Sequence, residues 1–540
     1  MNKPTQTLRW IAAAALALLV AACGDRSGNS ANNAAATGSG KAADAGALRI
    51  LAGSELKDLQ FLQAEMEKAA GTSIQWKYSG TLEMVDQLND AQTAEANDVV
   101  WAASGKYLSL ATAGKVKASN KIMLSPVILG VKQSSAKRLG WDRTPPTWGE
   151  IAQAAKAGKF AYGMTNPTAS NSGFCAVVGV AAALSGNPDG LSAADINSAK
   201  LKEFFAGQKL TAGSSGWLAD AYAKNPAGLD GLINYESVIL SLNTGKQLAE
   251  PLVPIYPKEG IITSDYPIML INPAQRAAYD KLVAFLLSDA VQQRIMAQTH
   301  RRPVTAGVKP AAEFGDRLLI ELPFPGSLDV LDGLLTAYQN DLRRPGHAWF
   351  VLDTSGSMQG ERIDALRSGL DALGGGPENS GGSARFTRFA LREKVDVITF
   401  SSDVKSMDAI DFGDATHYAQ SKQQFHQLVG SLSADGGTAI YSTLLYTLRL
   451  AGEAQRDEPE RFYSVVLMTD GENTNGIDFQ NFRRQWQKLG DAKGIRVFPI
   501  LFGESQADEM KALAEMTGGR TFDGRKESLD KVFREIRGYQ

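Results

Sequence analysis

The polar run Asp353–Ser357 (DTSGS) constrains this chain more than any other feature, because distant residues match its chemistry. The apolar run His347–Leu352 before it is typical of a buried strand, so Asp353 is expected where that strand ends. Ser355 and Ser357 follow at alternate positions, and in an extended loop all three oxygen-bearing side chains can turn towards one point. The run therefore predicts a cluster of oxygen ligands beside the end of a strand.

Two distant residues, Thr438 and Asp470, are predicted to join this cluster. Thr438 follows the flexible pair Gly436-Gly437, and Asp470 comes at the end of a second apolar strand, Val465–Met468. Hydroxyl and carboxylate oxygens are hard ligands, which suit Mg²⁺, Mn²⁺ or Ca²⁺ rather than zinc. The alternative is a glycine-rich surface loop whose hydroxyls hold no metal.

These positions resemble the metal-ion-dependent adhesion site of the von Willebrand factor type A (VWA) family, which has the pattern D-x-S-x-S with a later Thr and Asp. The resemblance implies a divalent metal, Mg²⁺ or else Mn²⁺ or Ca²⁺, contacted by the hydroxyls, with the carboxylates acting directly or through water. We refer to the five positions as the metal-site residues: Asp353, Ser355, Ser357, Thr438 and Asp470.

The pattern of residues 346–540 favours a doubly wound, Rossmann-like parallel sheet, in agreement with the VWA resemblance. In such sheets ligands bind at the carboxyl ends of strands, which is where the metal-site residues fall. Beyond the first strand, the predicted strands are Val395–Phe400, Val465–Met468 and Arg496–Phe502, and the predicted helices are Glu361–Leu373, Gln420–Leu432, Ala439–Ala454, Phe479–Leu489, Met510–Met516 and Leu529–Ile536.

The predicted site favours binding over catalysis. Three neutral hydroxyls and few carboxylates leave a dication under-neutralised, and water fills the vacancy until an Asp or Glu of a partner protein displaces it. No paired general acid and base lies near the motif, no Cys/His zinc spacing occurs, and none of the four histidines pairs in sequence with a motif serine. We therefore expect no enzyme, with a metal-dependent hydrolase as the remaining alternative.

Residues 1–23 have the layout of an export signal, with Lys3 and Arg9 before a short apolar stretch. The stretch ends in LVAAC, which resembles a bacterial lipobox, so Cys23 is the predicted site of lipidation and of membrane anchoring. Ordinary signal cleavage next to an incidental cysteine is the alternative. Residues 24–47, rich in Gly, Ala, Ser and Asn, read as a flexible tether that leaves the folded domains outside the cytoplasm, in the cell envelope.

Size and composition limit the possibilities. A chain of 540 residues is too long for one ordinary core, so two or three domains are expected. The net charge of −2 gives no reason to expect nucleic acid as a partner. If Cys23 is acylated, the second cysteine, Cys175, has no disulfide partner, and its apolar neighbours indicate a small buried residue rather than a reactive thiol.

Residues 48–320 alternate short apolar strands with helical runs, which argues a parallel α/β arrangement. The strands Leu48–Ala52, Ile74–Tyr78 and Asp98–Ala102 each turn into a helix through Gly and Ser, and Thr147 with Glu150 fits a helix capping box. These segments resemble a type 2 periplasmic solute-binding protein, in which two lobes close over a cleft. Further points of likeness are the segments Asn166–Gly173, Ile233–Ser237, Tyr256–Gly260 and Ala284–Pro303.

The resemblance places a set of polar residues, here called the cleft residues, towards that cleft. A cleft lined by hydroxyls and helix N-termini suits an oxyanion or a small polar solute. The alternative for each residue is a helix cap, because Ser, Thr and Asn are favoured there in any protein. The cleft residues are Ser54, Ser79, Thr81, Ser104, Ser170, Asn171, Ser172 and Tyr235.

Residues 321–345 are predicted to connect the two domains. Leucines recur at helical spacing within Ser327–Asn340, which predicts a packed helix and a rigid domain pair. Such a helix could transmit closure of the cleft to the metal site.

Two functions compete on this pattern. The first is an envelope-anchored lipoprotein that holds a partner protein through the metal, with the solute-binding fold as a second recognition module. The second is a receptor of the ABC-transporter type, which passes a small polar solute or oxyanion to a membrane permease and carries the metal domain as an accessory.

Overall fold

The computed structural model describes residues 46–187, 190–196, 199–375, 382–503 and 506–540, and residues Gly46–Gln540 form one compact unit. The export signal, Cys23 and the tether as far as residue 45 lie outside the described residues. Within the described part, no helix combines the length and the apolar character that crossing a membrane requires.

The strands follow in chain order. They are β1 (Leu48–Ala52), β2 (Ile74–Tyr78), β3 (Val99–Trp101), β4 (Ala118–Lys121), β5 (Met123–Lys132), β6 (Tyr162–Thr165), β7 (Gln208–Ala212), β8 (Gly231–Tyr235), β9 (Leu252–Ile255), β10 (Thr263–Ser264), β11 (Pro267–Leu270), β12 (Arg302–Pro303), β13 (Gly346–Asp353), β14 (Lys394–Phe400), β15 (Val404–Asp411), β16 (Phe462–Thr469), β17 (Arg496–Leu501) and β18 (Phe522–Asp523).

The α-helices are α1 (Gln63–Ala70), α2 (Thr81–Asn89), α3 (Ala91–Ala94), α4 (Lys106–Ala111), α5 (Gln133–Leu139), α6 (Trp148–Lys156), α7 (Asn171–Ser185), α8 (Ala199–Phe205), α9 (Ser215–Lys224), α10 (Glu236–Thr244), α11 (Arg276–Leu286), α12 (Asp289–Thr299), α13 (Leu328–Ala337), α14 (Glu361–Gly374), α15 (Tyr418–Ser431), α16 (Ile440–Asp457), α17 (Phe479–Trp486), α18 (Ala507–Thr517) and α19 (Leu529–Arg537). Shorter 3₁₀ helices include Ser54–Leu62 and Gly356–Met358, and Tyr338–Leu342 continues α13 as a π-helical turn.

The N-terminal domain consists of two lobes, each built on its own sheet. The first sheet has the order β2-β1-β3-β11-β4, and the second has the order β10-β5-β8-β6-β7, with β9 and β12 also paired to β5. The chain passes from the first lobe to the second between β4 and β5 and returns between β10 and β11.

The expectation of parallel sheets in this domain is correct for only part of each lobe. β1 pairs in parallel with β2 and β3, and β6 pairs in parallel with β7 and β8. By contrast, β11 runs antiparallel to β3 and β4, and β5 runs antiparallel to β8 and β9. The strands that carry the chain between lobes enter each sheet from the opposite end, which local strand-helix alternation does not reveal.

The C-terminal domain contains one sheet of order β15-β14-β13-β16-β17-β18. All its neighbouring strands are parallel except β14 and β15, which are antiparallel. We did not expect β15, whose residues alternate between half-buried and exposed at the sheet edge and so lack a strong apolar signal. Since β13 and β16 are adjacent and in register from Gly346↔Phe462 to Leu352↔Met468, Asp353 and Thr469 end side by side.

The connector helix α13 is packed, with Leu331, Leu334 and Leu335 fully buried against the N-terminal core. At its far end, the hydroxyl of Tyr338 hydrogen-bonds the side chain of Gln208 in the second lobe at 3.3 Å. In the segment before it, residues 316–325, the regular secondary structure is limited to an isolated β-bridge between Ile261 and Glu321.

The end of α19 docks on the second lobe. The ring of Tyr539 meets that of Trp217 edge-on, with centroids 4.9 Å apart. Gly213 allows this approach, because a Cβ added there would lie 2.5 Å from the Tyr539 ring. The Asn166 amide also donates to the carbonyl of Arg537 at 3.4 Å, so backbone and ring contacts fix the same segment.

A buried ion cluster holds this end of the chain to the connector. The Glu393 carboxylate, just before β14, is bonded by Arg537 at 2.6 Å and by Arg343 of the connector. All three side chains are almost completely buried. Burial by itself would raise the pKa of Glu393, but the charges of Arg537 and Arg343 outweigh it and lower that pKa below its ordinary value.

We expect Glu393→Gln to be strongly destabilising, because it leaves two buried guanidinium groups with no counter-charge. Breaking a buried ion pair in this way costs about 3–5 kcal/mol, which lowers a domain's unfolding midpoint by roughly 10 °C. Scanning calorimetry of the chain from Gly46 to Gln540 measures this. Arg276→Gln is the control, since its pair with Asp280 is exposed and worth under about 1 kcal/mol.

The same cluster predicts a pH dependence. A carboxylate with a lowered pKa contributes stability above its unfolded pKa, and that contribution is lost as the pH falls through the folded pKa. The deficit of Glu393→Gln should therefore be largest at neutral pH and shrink in acid. An equal deficit at every pH would contradict the assignment of this stability to the Glu393 charge.

Candidate functional site

Asp353 sits at the end of β13 with its side chain completely buried. Its Oδ1 accepts a hydrogen bond from the backbone N–H of Ser355 at 2.8 Å, and its Oδ2 accepts one from the hydroxyl of Thr469 at 2.6 Å. These bonds orient the carboxylate and fold the loop after it. Thr469 was not predicted from the sequence as part of the site, although it directly precedes Asp470.

The serines of the motif connect Asp353 to Asp470. The hydroxyls of Ser355 and Ser357 are 3.0 Å apart, and Ser357 Oγ donates to Asp470 Oδ1 at 2.8 Å. Ser355 and Asp470 are buried, while Ser357 is exposed. The cluster is therefore anchored in the sheet and reaches solvent through Ser357.

Thr438 approaches from the loop before α16. Its carbonyl accepts hydrogen bonds from the N–H groups of Thr474 and Asn475 at 2.8 and 3.0 Å, which ties this loop to the one after β16. A Cβ added at Gly471 would lie 3.7 Å from Ser357 Oγ and 4.0 Å from Thr438 Oγ1, so the two hydroxyls flank the same point. The structure thus brings all five metal-site residues to one edge of the sheet; their role as ligands stays a prediction.

The charge of the site fits a divalent cation. Burial raises the pKa of Asp353 above its ordinary value, hydrogen bonds from Ser355 and Thr469 oppose this rise, and the nearby carboxylate of Asp470 adds to it. A cation between the two carboxylates would remove that repulsion. Among the described residues, no group of three or more His, Cys, Asp or Glu side chains is placed to hold a metal, so hydroxyls must complete any ligand set here, as Mg²⁺ permits.

Arg362 is a further residue at this site that the sequence analysis missed. It is the second residue of α14, and its Nη1 lies 2.5 Å from Asp470 Oδ2. No distinct signal in the sequence marked it, because Glu361 and Asp364 in the same first turn already offset a cation at the start of a helix.

A second candidate site is a cavity of about 1250 Å³ between the two lobes and the C-terminal domain. Of the cleft residues, Ser54 and Ser79 line it, whereas Thr81, Ser104, Ser170, Asn171, Ser172 and Tyr235 do not. Arg301 lines it from the first lobe's side, and Trp217 and Tyr539 line it where the domains meet.

Several of the remaining cleft residues form a buried polar cluster. The Asn171 amide donates to the hydroxyls of Tyr235 and Ser264, each at 3.0 Å, and its nitrogen is 3.5 Å from the sulfur of Cys175. Burial raises the pKa of Cys175 to about 12, which agrees with the expected unreactive thiol. Ser264 was missed by the sequence analysis because it lies on a strand of two residues.

The other cleft residues are held in different ways. Ser172 Oγ is 2.8 Å from the hydroxyl of Thr165 and 3.3 Å from that of Ser170. Ser170 occupies the N-cap position of α7 but makes no side-chain capping bond, and Thr81 is the first residue of α2. Within the described chain, the buried atoms Ser104 Oγ and Asn171 Oδ1 have no hydrogen-bond partner, a costly state that a polar ligand would relieve.

Comparisons with known proteins agree with this division of the chain. Residues 48–298 match the family model described as bacterial extracellular solute-binding protein, and residues 349–535 match that of the von Willebrand factor type A domain. The chain joins a solute-binding domain to a VWA domain. Solute-binding domains of this family are extracytoplasmic.

Curated relatives match a smaller part. The chain is 27% identical over 135 residues to inter-alpha-trypsin inhibitor heavy chain H4 of Sus scrofa, covering 24% of this chain and 13% of that protein. It is 26% identical over 157 residues to the same protein of Bos taurus, covering 28% of this chain and 16% of the relative. The chain thus spans less than a fifth of the length of these relatives.

Solved structures resemble the N-terminal domain. A periplasmic binding protein from Actinobacillus pleuropneumoniae with fructose-6-phosphate bound is 14% identical, covers 55% of this chain and 99% of its own, and has a TM-score of 0.43. The ferric binding protein from Campylobacter jejuni is 13% identical, covers 53% and 95%, and has a TM-score of 0.41. At these scores, neither likeness indicates what this chain binds.

We expect Asp353→Asn and Asp470→Asn to change the stability of the metal-free protein in opposite directions. Asp353→Asn removes a buried charge that burial and Asp470 disfavour, and should raise the unfolding midpoint by about 2–4 °C, the effect of roughly 1 kcal/mol in a domain of this size. Asp470→Asn removes the partner of Arg362 and should lower it. Calorimetry in the presence of a chelator measures both.

The gain in Asp353→Asn has a defined pH dependence. The pKa of Asp353 is raised on folding. Ionisation of this residue therefore lowers the free energy of unfolding as the pH rises through the pKa of the folded protein. The advantage of the variant should shrink as the pH falls and vanish below about 4, where Asp353 becomes protonated in the unfolded state as well. A lower midpoint for Asp353→Asn at neutral pH would contradict this description of the site.

Proposed function

We propose that this protein is a lipoprotein of the bacterial cell envelope that binds a partner protein through a divalent metal at its VWA domain. It is not an enzyme in this proposal, and its solute-binding domain is a second recognition module. The observation that carries the proposal is the convergence of two carboxylates and three hydroxyls at one sheet edge, with Asp353 buried beside the like charge of Asp470.

The metal, Mg²⁺ or else Mn²⁺ or Ca²⁺, would supply an electrophilic position that accepts an outside Asp or Glu carboxylate. Ser355, Ser357 and Thr438 would hold it, with Asp353 and Asp470 acting directly or through water. Exposure of Ser357 supports access from outside, because a partner's side chain needs an open path to the ion. Lipidation at Cys23 would keep this site close to a membrane.

A second candidate function is a solute receptor of the ABC-transporter type for an oxyanion or a small polar solute. The unpaired buried atoms Ser104 Oγ and Asn171 Oδ1 favour it, because buried polar groups without partners are rare unless a ligand or water completes them. The cavity between the lobes and the VWA domain offers a second place for a solute, at Ser54 and Ser79, whereas Ser104 and Asn171 lie outside its lining.

We expect a pull-down from envelope extracts to recover a partner with the unsubstituted chain and Mg²⁺, and to lose it with chelator or with Asp353→Ala. The carboxylate is part of the proposed ligand set, so both changes remove the bridging ion. Asp364→Ala is the matched control, since this exposed aspartate pairs only with Arg367 on the surface of α14. Recovery of the same proteins in all conditions would remove the metal bridge.

For the solute, we expect a thermal-shift screen of phosphate, sulfate, molybdate and free amino acids to raise the unfolding midpoint of the chain from Gly46 to Gln540 by several degrees for one class. Ser104→Ala should lower the ligand affinity about tenfold and so reduce the thermal shift, because it removes a hydroxyl that has no other partner. Ser185→Ala, in which a hydroxyl bonded to its own helix is lost, serves as control. A shift unaffected by Ser104→Ala would place the solute elsewhere.

A further inference from the structure

Arg362 makes a direct ion pair with the metal-site carboxylate Asp470. Its Nη1 lies 2.5 Å from Asp470 Oδ2 and donates to the carbonyl of Ser357 at 3.3 Å. The Asp470 side chain is completely buried, while that of Arg362 is 36% exposed. One carboxylate oxygen of Asp470 thus faces the hydroxyl of Ser357 and the other faces a permanent cation.

The surroundings of Arg362 are adapted to this pair. The residue stands in the first turn of α14, where the helix dipole disfavours a positive charge; the exposed acids Glu361 and Asp364 share this turn, and the buried Asp470 makes the direct contact. Gly503 adopts φ +54°, and a Cβ there would lie 2.9 Å from the Asp470 carbonyl and 3.2 Å from Arg362 Cζ. The glycine therefore leaves the space in which the guanidinium reaches the carboxylate.

The pair changes the net charge that a bound metal would have. Asp353 and Asp470 contribute −2 and a dication +2, so these groups alone give 0; Arg362 adds +1, and the loaded site becomes +1. On this count the two carboxylates alone would neutralise the dication, contrary to the expectation from the sequence that it is left under-neutralised. Arg362 restores a net charge of +1, which one outside carboxylate neutralises. At a partly buried site, one unit charge a few ångströms away changes the electrostatic energy of a bound ion strongly.

We propose that Arg362 is a resident counter-cation that weakens metal binding and strengthens the binding of an outside carboxylate to the loaded site. The inference rests on the proposed function, because it concerns the charge of that same metal site. Arg362 acts through Asp470 and is a positioning residue, since it offers no ligand atom to a metal.

A merely structural role of Arg362 predicts a different result. If the guanidinium only anchors the loop of Ser357, its loss disturbs the ligand cluster and weakens both metal and carboxylate binding. If it acts as a counter-cation, its loss changes the two affinities in opposite directions. The signs of the two changes therefore separate the hypotheses.

The test uses the chain from Gly46 to Gln540 with Arg362→Gln and Arg362→Met, two neutral variants, and Arg362→Lys, which keeps the charge. Arg367→Gln is the control, because Arg367 lies on the same helix and bonds the exposed Asp364 and the Leu432 carbonyl, neither of which belongs to the metal-site residues. Mn²⁺ affinity is measured by calorimetric titration. Acetate binding to the Mn²⁺-loaded protein is measured by water-proton relaxation, which falls when a carboxylate displaces water from the ion.

We expect either neutral variant to bind Mn²⁺ about tenfold more tightly and acetate about tenfold more weakly than the unsubstituted chain, because one unit charge has been removed beside the ion. Arg362→Lys and Arg367→Gln should stay close to the unsubstituted chain. Unchanged or weaker Mn²⁺ binding by the neutral variants would overturn the inference alone. No Mn²⁺ uptake by the unsubstituted chain would overturn the proposed function as well.

Discussion

The buried ion cluster around Glu393 determines how the two domains are held together. Its members come from the connector (Arg343), the start of β14 (Glu393) and the end of α19 (Arg537), so it fixes three remote segments at one point. Buried ion pairs are poor sources of stability compared with apolar packing, but they allow few alternative arrangements. Because Gly538 and Tyr539 directly follow Arg537, this cluster also sets the segment that contacts the second lobe.

The candidate metal site depends on the parallel register of β13 and β16. That register brings Asp353 beside Thr469, whose hydroxyl orients the carboxylate, and it places Asp470 next to the serines of the motif. β13 and β16 are buried along almost their whole length, and a slip by one residue is costly because it would move every side chain of the strand to the other face of the sheet. The site is thus a property of the sheet edge: Asp353 ends β13, and the segments that follow the strands or precede α16 supply Ser355, Ser357, Thr438 and Asp470.

Features encoded in short stretches of sequence could be predicted. The strands Leu48–Ala52 and Ile74–Tyr78 have the expected bounds, and the capping box of Thr147 and Glu150 is present. The motif DTSGS placed Asp353 at a strand end because an apolar run precedes it. Convergence of the metal-site residues followed from the rule that parallel strands end at one edge.

Features that depend on distant partners could not be predicted. Arg362 joins the site mainly through the carboxylate of Asp470, 108 residues away, besides a bond to the nearby Ser357 carbonyl. Ser264 joins the polar cluster through Asn171 and Cys175, both about 90 residues away. The edge strand β15 carries little apolar signal because one of its faces meets solvent. Antiparallel strands in the lobes arise where the chain crosses between them, a property of topology that no local pattern contains.

The contacts of the VWA domain with the two lobes differ in kind, and this difference bears on whether the cleft can open. The second lobe meets α19 through packed rings and close glycine backbones. At the first lobe, the Ser383 N–H donates to the Asp86 carboxylate at 2.9 Å, and Asp332 of the connector accepts from Tyr107 at 2.9 Å. Because their acceptors are carboxylates, hydrogen bonds of this kind are worth about 1.5–3 kcal/mol each.

An opening motion therefore costs least if the first lobe moves away from a body made of the second lobe and the VWA domain. Asp332 also pairs with Arg385 of the VWA domain at 2.6 Å, so one carboxylate of the connector contacts both the first lobe and the VWA domain. Opening of the cleft can change the affinity of the candidate metal site only if it alters these few polar contacts or the packing of α13. Coupling between the two sites stays a prediction, and its size is limited by the energy of those contacts.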